Sequence, residues 1–305
     1  LTKPKELLSL SLFPCLLEGL GVGAIAHYFL HWPLAYALVL GFIFSAVSPA
    51  VIVPAMLRFT KKFPHTPSLL LAVCSLDDVF AITFFVLALE LLLTQEFYWL
   101  SVLMLPIKII SGFLLGFLIA KYCTNTKMML WLLFISSFGL LFWEPMYFSP
   151  LCYLLSLGLF LKKKENGLKE SFSLSLKKIW RYGEVILFVA IGSQVNINSL
   201  SQLVMGAFLV LCALGIRSLT IWFCLRKQKK EFQYFAMISL LPKATVQAAI
   251  GGVVLGYAHT YDFIQKNIAS DILNYSVIAI LLSAPLGAFL VEQYGQPLLK
   301  KMESQ

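Results

Sequence analysis

Two adjacent carboxylates stand where carboxylates are least expected. Ser75-Leu76-Asp77-Asp78 lies in the middle of an apolar run from about residue 68 to 93. Counted from Ser68 at about 1.5 Å per helical residue, the pair sits ~14 Å into a hydrocarbon layer roughly 30 Å thick. At that depth a carboxylate costs at least ~2.5 kcal/mol, so two in succession need a reason. Adjacent helical positions point about 100° apart. One aspartate can therefore face a cavity while the other faces a neighbouring helix. Three more ionisable residues fall deep in apolar segments of the same two groups of helices: Glu18, Arg217 and Lys243. With all five ionised their formal sum is −1, which one proton or one monovalent cation neutralises.

The elements that must position these groups follow from the apolar runs. Of 305 residues, 59% are hydrophobic and 13% charged, about half the charged share of a soluble domain. The composition predicts an all-α polytopic membrane protein embedded in a lipid bilayer. Ten apolar segments can be drawn: A (7–30), B (34–57), C (68–93), D (98–120), E (128–145), F (147–161), G (180–198), H (199–225), I (233–257) and J (271–294). The net charge of +9 is not the mark of a nucleic-acid partner, because the basic residues crowd into short linkers. Twenty of the 24 lysines and arginines fall on one side of a ten-span arrangement and only Lys266 on the other. That asymmetry predicts both termini in the cytoplasm. The six cysteines have no CxxC or zinc spacing and read as buried thiols. Lys108, within D, is given no role.

Prolines add a second pattern. Segment B carries Ser48-Pro49 in mid-span and segment I carries Pro242 followed by Gly251-Gly252. An interior proline removes a hydrogen bond and clashes with the preceding turn, so both helices are expected to break. B and I run in opposite directions in the ten-span arrangement. A-B-C and H-I-J are thus two inverted triplets, each with a broken central helix, and the site is expected where the broken helices cross. Ser48 and Thr245 flank the breaks and can lend oxygens to a cation. Glu18 and Arg217 are expected to pair, since either alone is costly in lipid. Lys243 follows the second break, where it can compensate the partial charges of half-helix ends. An intramembrane aspartyl protease also uses two midplane aspartates, but on different helices. Here they are neighbours, and no Gly-x-Gly-Asp precedes either.

At Gly41-Phe-Ile-Phe-Ser-Ala-Val-Ser-Pro-Ala-Val-Ile-Val-Pro54, Ser75-Leu-Asp-Asp-Val-Phe-Ala-Ile-Thr83 and Leu241-Pro-Lys-Ala-Thr-Val-Gln-Ala-Ala249 the chain closely resembles the NHA-type sodium/proton exchangers of the second cation:proton antiporter family. The resemblance runs from about Pro14 to the C-terminus. It implies a homodimer in which a six-helix core with two crossing broken helices moves like an elevator against a dimerisation domain. By that resemblance residues 1–93 and 199–305 are the two halves of the core, 94–127 the linker helix and 128–198 the dimerisation side. Asp78 matches the carboxylate that binds cation or proton in turn, and Asp77 its partner in binding Na⁺ or Li⁺. Arg217 stands where many relatives have a lysine, and its partner by resemblance is Glu18; Lys243 matches the basic residue of the second broken helix. Where many antiporters have Thr-Asp-Pro at the first break, this chain has Val47-Ser48-Pro49, so the negative charge must come from C. The family has about three or four further helices before A; the expectation is a complete core with half of the dimerisation scaffold missing. The function implied is exchange of Na⁺ or Li⁺ for H⁺ without covalent chemistry or organic cofactor. The alternative is a truncated, non-transporting relative that regulates a full-length antiporter.

Overall fold

The structure is a computed structural model that describes residues 4–94, 99–122, 125–142, 153, 156–157, 160, 166–195 and 199–303. Regular structure among them is helical: α1 (Pro4–Phe29), α2 (Leu34–Ser45), α3 (Pro49–Phe59), α4 (His65–Thr94), α5 (Trp99–Tyr122), α6 (Thr126–Phe142), α7 (Asn166–Gln194), α8 (Leu200–Cys224), α9 (Lys230–Ser239), α10 (Thr245–Gly251), α11 (Val253–Thr260) and α12 (Lys266–Glu303). Helices are what a chain of this composition must form, because lipid offers no partner for backbone N–H and C=O groups.

Among the described residues, five stretches are long and apolar enough to cross a membrane: Lys5–Phe29, Leu34–Phe59, His65–Thr94, Leu200–Cys224 and Lys266–Met302. They correspond to segments A, B, C, H and J. Segment I divides into α9, α10 and α11, interrupted at 240–244 and again at Gly252. Segment F lies largely outside the described residues. Segment G begins earlier than its apolar run, because α7 starts at Asn166 and takes in much of the lysine-rich stretch read as a linker. Phe172 of that stretch is buried and Leu176 packs beside it, so an i, i+4 apolar stripe carries the helix back beyond the hydrophobic run.

The described chain forms two compact units. The first comprises residues 1–96 and 190–305. In it α1 packs on α2, α4 and α8, while α12 runs beside α3, α8, α9, α10 and α11. Two large apolar clusters, and a small one of Cys15, Ala46 and Ala81, fill it. One gathers Val39, Leu40, Ile43 and Phe44 with Leu241, Ile272 and Ile278. The other gathers Val47, Ile52 and Met56 with Leu70, Phe235 and Leu240. Both broken helices pass from one cluster to the other at their breaks, between Phe44 and Val47 and between Leu240 and Leu241. Close approach of α1 and α2 at that level depends on Gly41, whose missing Cβ leaves room for the Gly19 carbonyl. In the second unit, residues 97–189, Ala120, Met129, Leu157 and Phe172 form a small core. There Ser156 donates to the Phe113 carbonyl at 2.6 Å.

Candidate functional site

The first break is the extended stretch Ala46-Val47-Ser48 between α2 and α3, with Pro49 at the first position of α3, where its missing N–H is no loss. The end of a helix leaves carbonyls without intrahelical partners. Here three consecutive ones are each met by a side chain from elsewhere in the sequence. Lys243 Nζ donates to the Phe44 carbonyl, Arg217 Nη1 to the Ser45 carbonyl at 2.6 Å, and Gln247 Nε2 to the Ala46 carbonyl. Two N–H groups of the break are also engaged. Val47 N–H donates to Asp77 Oδ2 at 3.1 Å, and Ser48 N–H to the Pro242 carbonyl at 2.8 Å. That last bond joins the two breaks directly.

The second break, 240–244, is held from α12 and from within. Ser283 Oγ accepts from Lys243 N–H at 3.1 Å, and Gln247 Oε1 accepts from Ala244 N–H at 2.9 Å. The Pro242 ring occupies the space that a side chain at Gly287 would take. Ser48 Oγ and Thr245 Oγ1 then face each other across the two breaks at 3.4 Å.

Around this junction the buried charges form one network. Glu18 Oε2 accepts from Arg217 Nη1 at 2.6 Å and Oε1 from Lys243 Nζ at 2.6 Å. Arg217 Nη2 reaches Asp77 Oδ1 at 2.5 Å. All four side chains are fully buried. The pairing of Glu18 with Arg217 is as expected, but Arg217 also pairs with Asp77. Lys243 does more than compensate its own break: it reaches the opposite half-helix and shares Glu18.

The arithmetic of this network singles out one residue. Glu18 and Asp77 balance Arg217 and Lys243, so four of the five deep charges sum to zero within hydrogen-bonding distance. Asp78 has no part in that balance. It is only partly buried, yet its Oδ1 is buried and without a hydrogen-bond partner. The formal −1 of the sequence is thereby located on one carboxylate beside a charge-neutral network, in which Arg217 Nε is the one other buried polar side-chain atom without a hydrogen-bond partner among the described residues. Among the described residues no three or more His, Cys, Asp or Glu side chains gather as a metal site. What the arrangement offers an ion is the Asp78 carboxylate, outside the network's charge balance, and at the junction of the breaks the Ser48 and Thr245 hydroxyls.

Sequence reasoning assigned no role to Gln247, Ser283 or Gly287. Gln247 lies inside a motif already singled out, and a polar amide in an apolar helix is a signal in itself. Ser283 and Gly287 carry no such signal, since small residues on a membrane helix are common.

A family model described as "Sodium/hydrogen exchanger, transmembrane" matches residues 3–293. Sodium/hydrogen exchanger 9B2 of Xenopus tropicalis is 31% identical over 98% of this chain and 59% of its own length. The human protein of that name is 30% identical over 97% and 59%, and human sodium/hydrogen exchanger 9B1 is 27% identical over 96% and 61%. The chain therefore spans about three fifths of the curated relatives it matches. A solved structure of the sodium proton antiporter MjNhaP1 from Methanocaldococcus jannaschii superposes with a TM-score of 0.81 at 21% identity, covering 97% of this chain and 79% of that one. The likeness shows the fold.

Proposed function

We propose, for a chain that belongs to the transmembrane sodium/hydrogen exchanger family, that it exchanges Na⁺ or Li⁺ for H⁺ at Asp78. The observation that carries this reading is the buried, unpartnered Asp78 Oδ1 beside a charge-neutral network. A carboxylate without a counter-ion in a low-dielectric interior has to be neutralised. A proton does so by making it a carboxylic acid, and a monovalent cation does so by coordination. The two compete for one group, and that competition is the elementary requirement of antiport.

The other residues hold the carboxylate's surroundings still. Asp77 is committed to Arg217 and to the Val47 N–H, which ties α4 to the first break. Ser48 and Thr245 supply hydroxyl oxygens where the breaks meet. Glu18, Arg217 and Lys243 keep the half-helix end of α2 capped and neutral, so that both broken helices move as one body. The cycle is an elevator-type movement of the core between the two sides of the membrane, in a homodimer with both termini in the cytoplasm. No covalent intermediate or organic cofactor enters it.

The test is proton flux in proteoliposomes, read by an internal pH dye after pulses of Na⁺ or Li⁺. The wild type is expected to respond and a correctly inserted Asp78→Asn protein to stay silent. Normal flux in that variant would falsify the assignment.

A further inference from the structure

Among the described residues, Gln247 is the one side chain whose two ends bind different breaks. Its Nε2 donates to the Ala46 carbonyl in the first, and its Oε1 accepts from Ala244 N–H in the second. It is buried, as are Ala46 and Ala244. Ala46 and Ala244 are also each one or two residues from the hydroxyls that face one another, Ser48 and Thr245. The amide therefore works as a spacer of fixed length between two backbone strands that carry candidate cation ligands. A second strut, Ser48 N–H to the Pro242 carbonyl, lies on the same pair of strands. With two attachment points the strands cannot pivot about either one.

From this juxtaposition we infer that Gln247 is a positioning residue for cation selectivity: by clamping the first break to the second it fixes the spacing of the Ser48 and Thr245 oxygens, and so the size of ion the site accepts. The inference rests on the antiport reading above, because it needs a cation at this junction. The chemistry of the side chain is specific. A donor and an acceptor are needed on one planar group, at a reach of two methylenes. Leucine has the volume and neither function. Asparagine has both functions but is one methylene short, so it can satisfy only one break at a time. A purely structural Gln247 makes a different forecast: substitution lowers stability and leaves the ratio of cation affinities alone.

The experiment is thermal unfolding of the purified full chain titrated with Na⁺ and, separately, with Li⁺, for the wild type, Asp78→Asn, Gln247→Leu and Gln247→Asn. Stabilisation by each cation gives its apparent affinity by mass action. The wild type is expected to be stabilised by both ions to different extents, and Asp78→Asn by neither. Gln247→Leu is expected to bind roughly five- to tenfold more weakly, the effect of about one lost hydrogen bond, with unequal losses for Na⁺ and Li⁺ that change their ratio. Gln247→Asn is expected to change the ratio in the same sense, and it carries the test should Gln247→Leu not fold. A wild-type ratio of Na⁺ to Li⁺ affinity in the Gln247 variants, whether or not both affinities fall, with Asp78→Asn silent, would overturn this inference and leave the antiport site standing. A wild type blind to both ions, or an Asp78→Asn protein that still responds, would overturn the antiport site and the inference with it.

Discussion

Glu18 is the hinge of the charge balance, and its replacement by glutamine tests the network as a network. The substitution keeps the shape and removes one negative charge shared by Arg217 Nη1 and Lys243 Nζ, each 2.6 Å away. Arg217 retains Asp77, but Lys243 is left as a fully buried cation with no carboxylate in contact. Breaking a buried pair by removing one partner costs about 3–5 kcal/mol, and that is the expected loss of unfolding free energy. A second consequence follows from the arithmetic. The four-residue network becomes +1, and with Asp78 the sum becomes zero. Asp78 then has an internal counter-charge, and the site no longer requires a proton or a cation to be neutral. Glu18→Gln is therefore expected to lose Na⁺- and Li⁺-dependent stabilisation as well as intrinsic stability. Lys243→Met removes the complementary charge and should be destabilised by a comparable amount, with Glu18 now in excess. The double variant restores a network of zero, Asp77 with Arg217, and returns the excess charge to Asp78. It is expected to recover most of the stability lost in either single variant, together with a cation response. Denaturant unfolding in mixed micelles of all four proteins, with and without Na⁺, completes the cycle. Losses that simply add in the double variant, or single variants that lose less than about 1 kcal/mol, would refute the reasoning.

Other outcomes follow from the same geometry. If proton and cation compete for Asp78 as proposed, lowering the pH should raise the apparent KM for Na⁺ while leaving the maximal rate of the proton-loaded carrier's return unaffected; KM measured across a pH series checks this. Of the five deep charges only Asp78 lies outside the paired network, and arginine at 217 does not give up its proton. Exchange should therefore be one for one, and flux in proteoliposomes should be indifferent to an imposed potassium diffusion potential. Gly287→Leu places a side chain where the Pro242 ring sits. It should cost about 1–3 kcal/mol by overpacking and displace the second break, visible as a lower thermal midpoint with a weakened cation response.

How much of this was legible in the sequence depended on whether the signal was local. Two aspartates at mid-span, and prolines in the middle of B and I, are local anomalies that physics penalises unless used. The chain breaks at or beside those prolines, at 46–48 and 240–244, while the aspartates stand in an unbroken helix. Pairing of Glu18 with Arg217 was legible for a related reason, since each needed a partner in lipid and few were on offer. The remainder was set by tertiary contact. Lys243 reaches a carbonyl some two hundred residues earlier in the chain, and no local pattern announces that. Gln247 was visible as a polar residue in an apolar helix, but its two-ended role exists only once both breaks are side by side. Conversely, the start of α7 was misplaced because hydropathy weighs the lysines of residues 162–178 and overlooks the stripe through Phe172 and Leu176. Segment I breaks at 240–244, as its proline predicts, and a second time at Gly252, where the apolar run continues but the helix does not.

The central claim is that one carboxylate, Asp78, holds the site's entire uncompensated charge. The most direct measurement is the number of protons released when Na⁺ is added to purified protein in weakly buffered detergent solution, repeated at stepped starting pH until the release is greatest. The account predicts a maximum of one proton per chain in the wild type and none in Asp78→Asn. A maximum of two protons, or release that persists in Asp78→Asn, would contradict it.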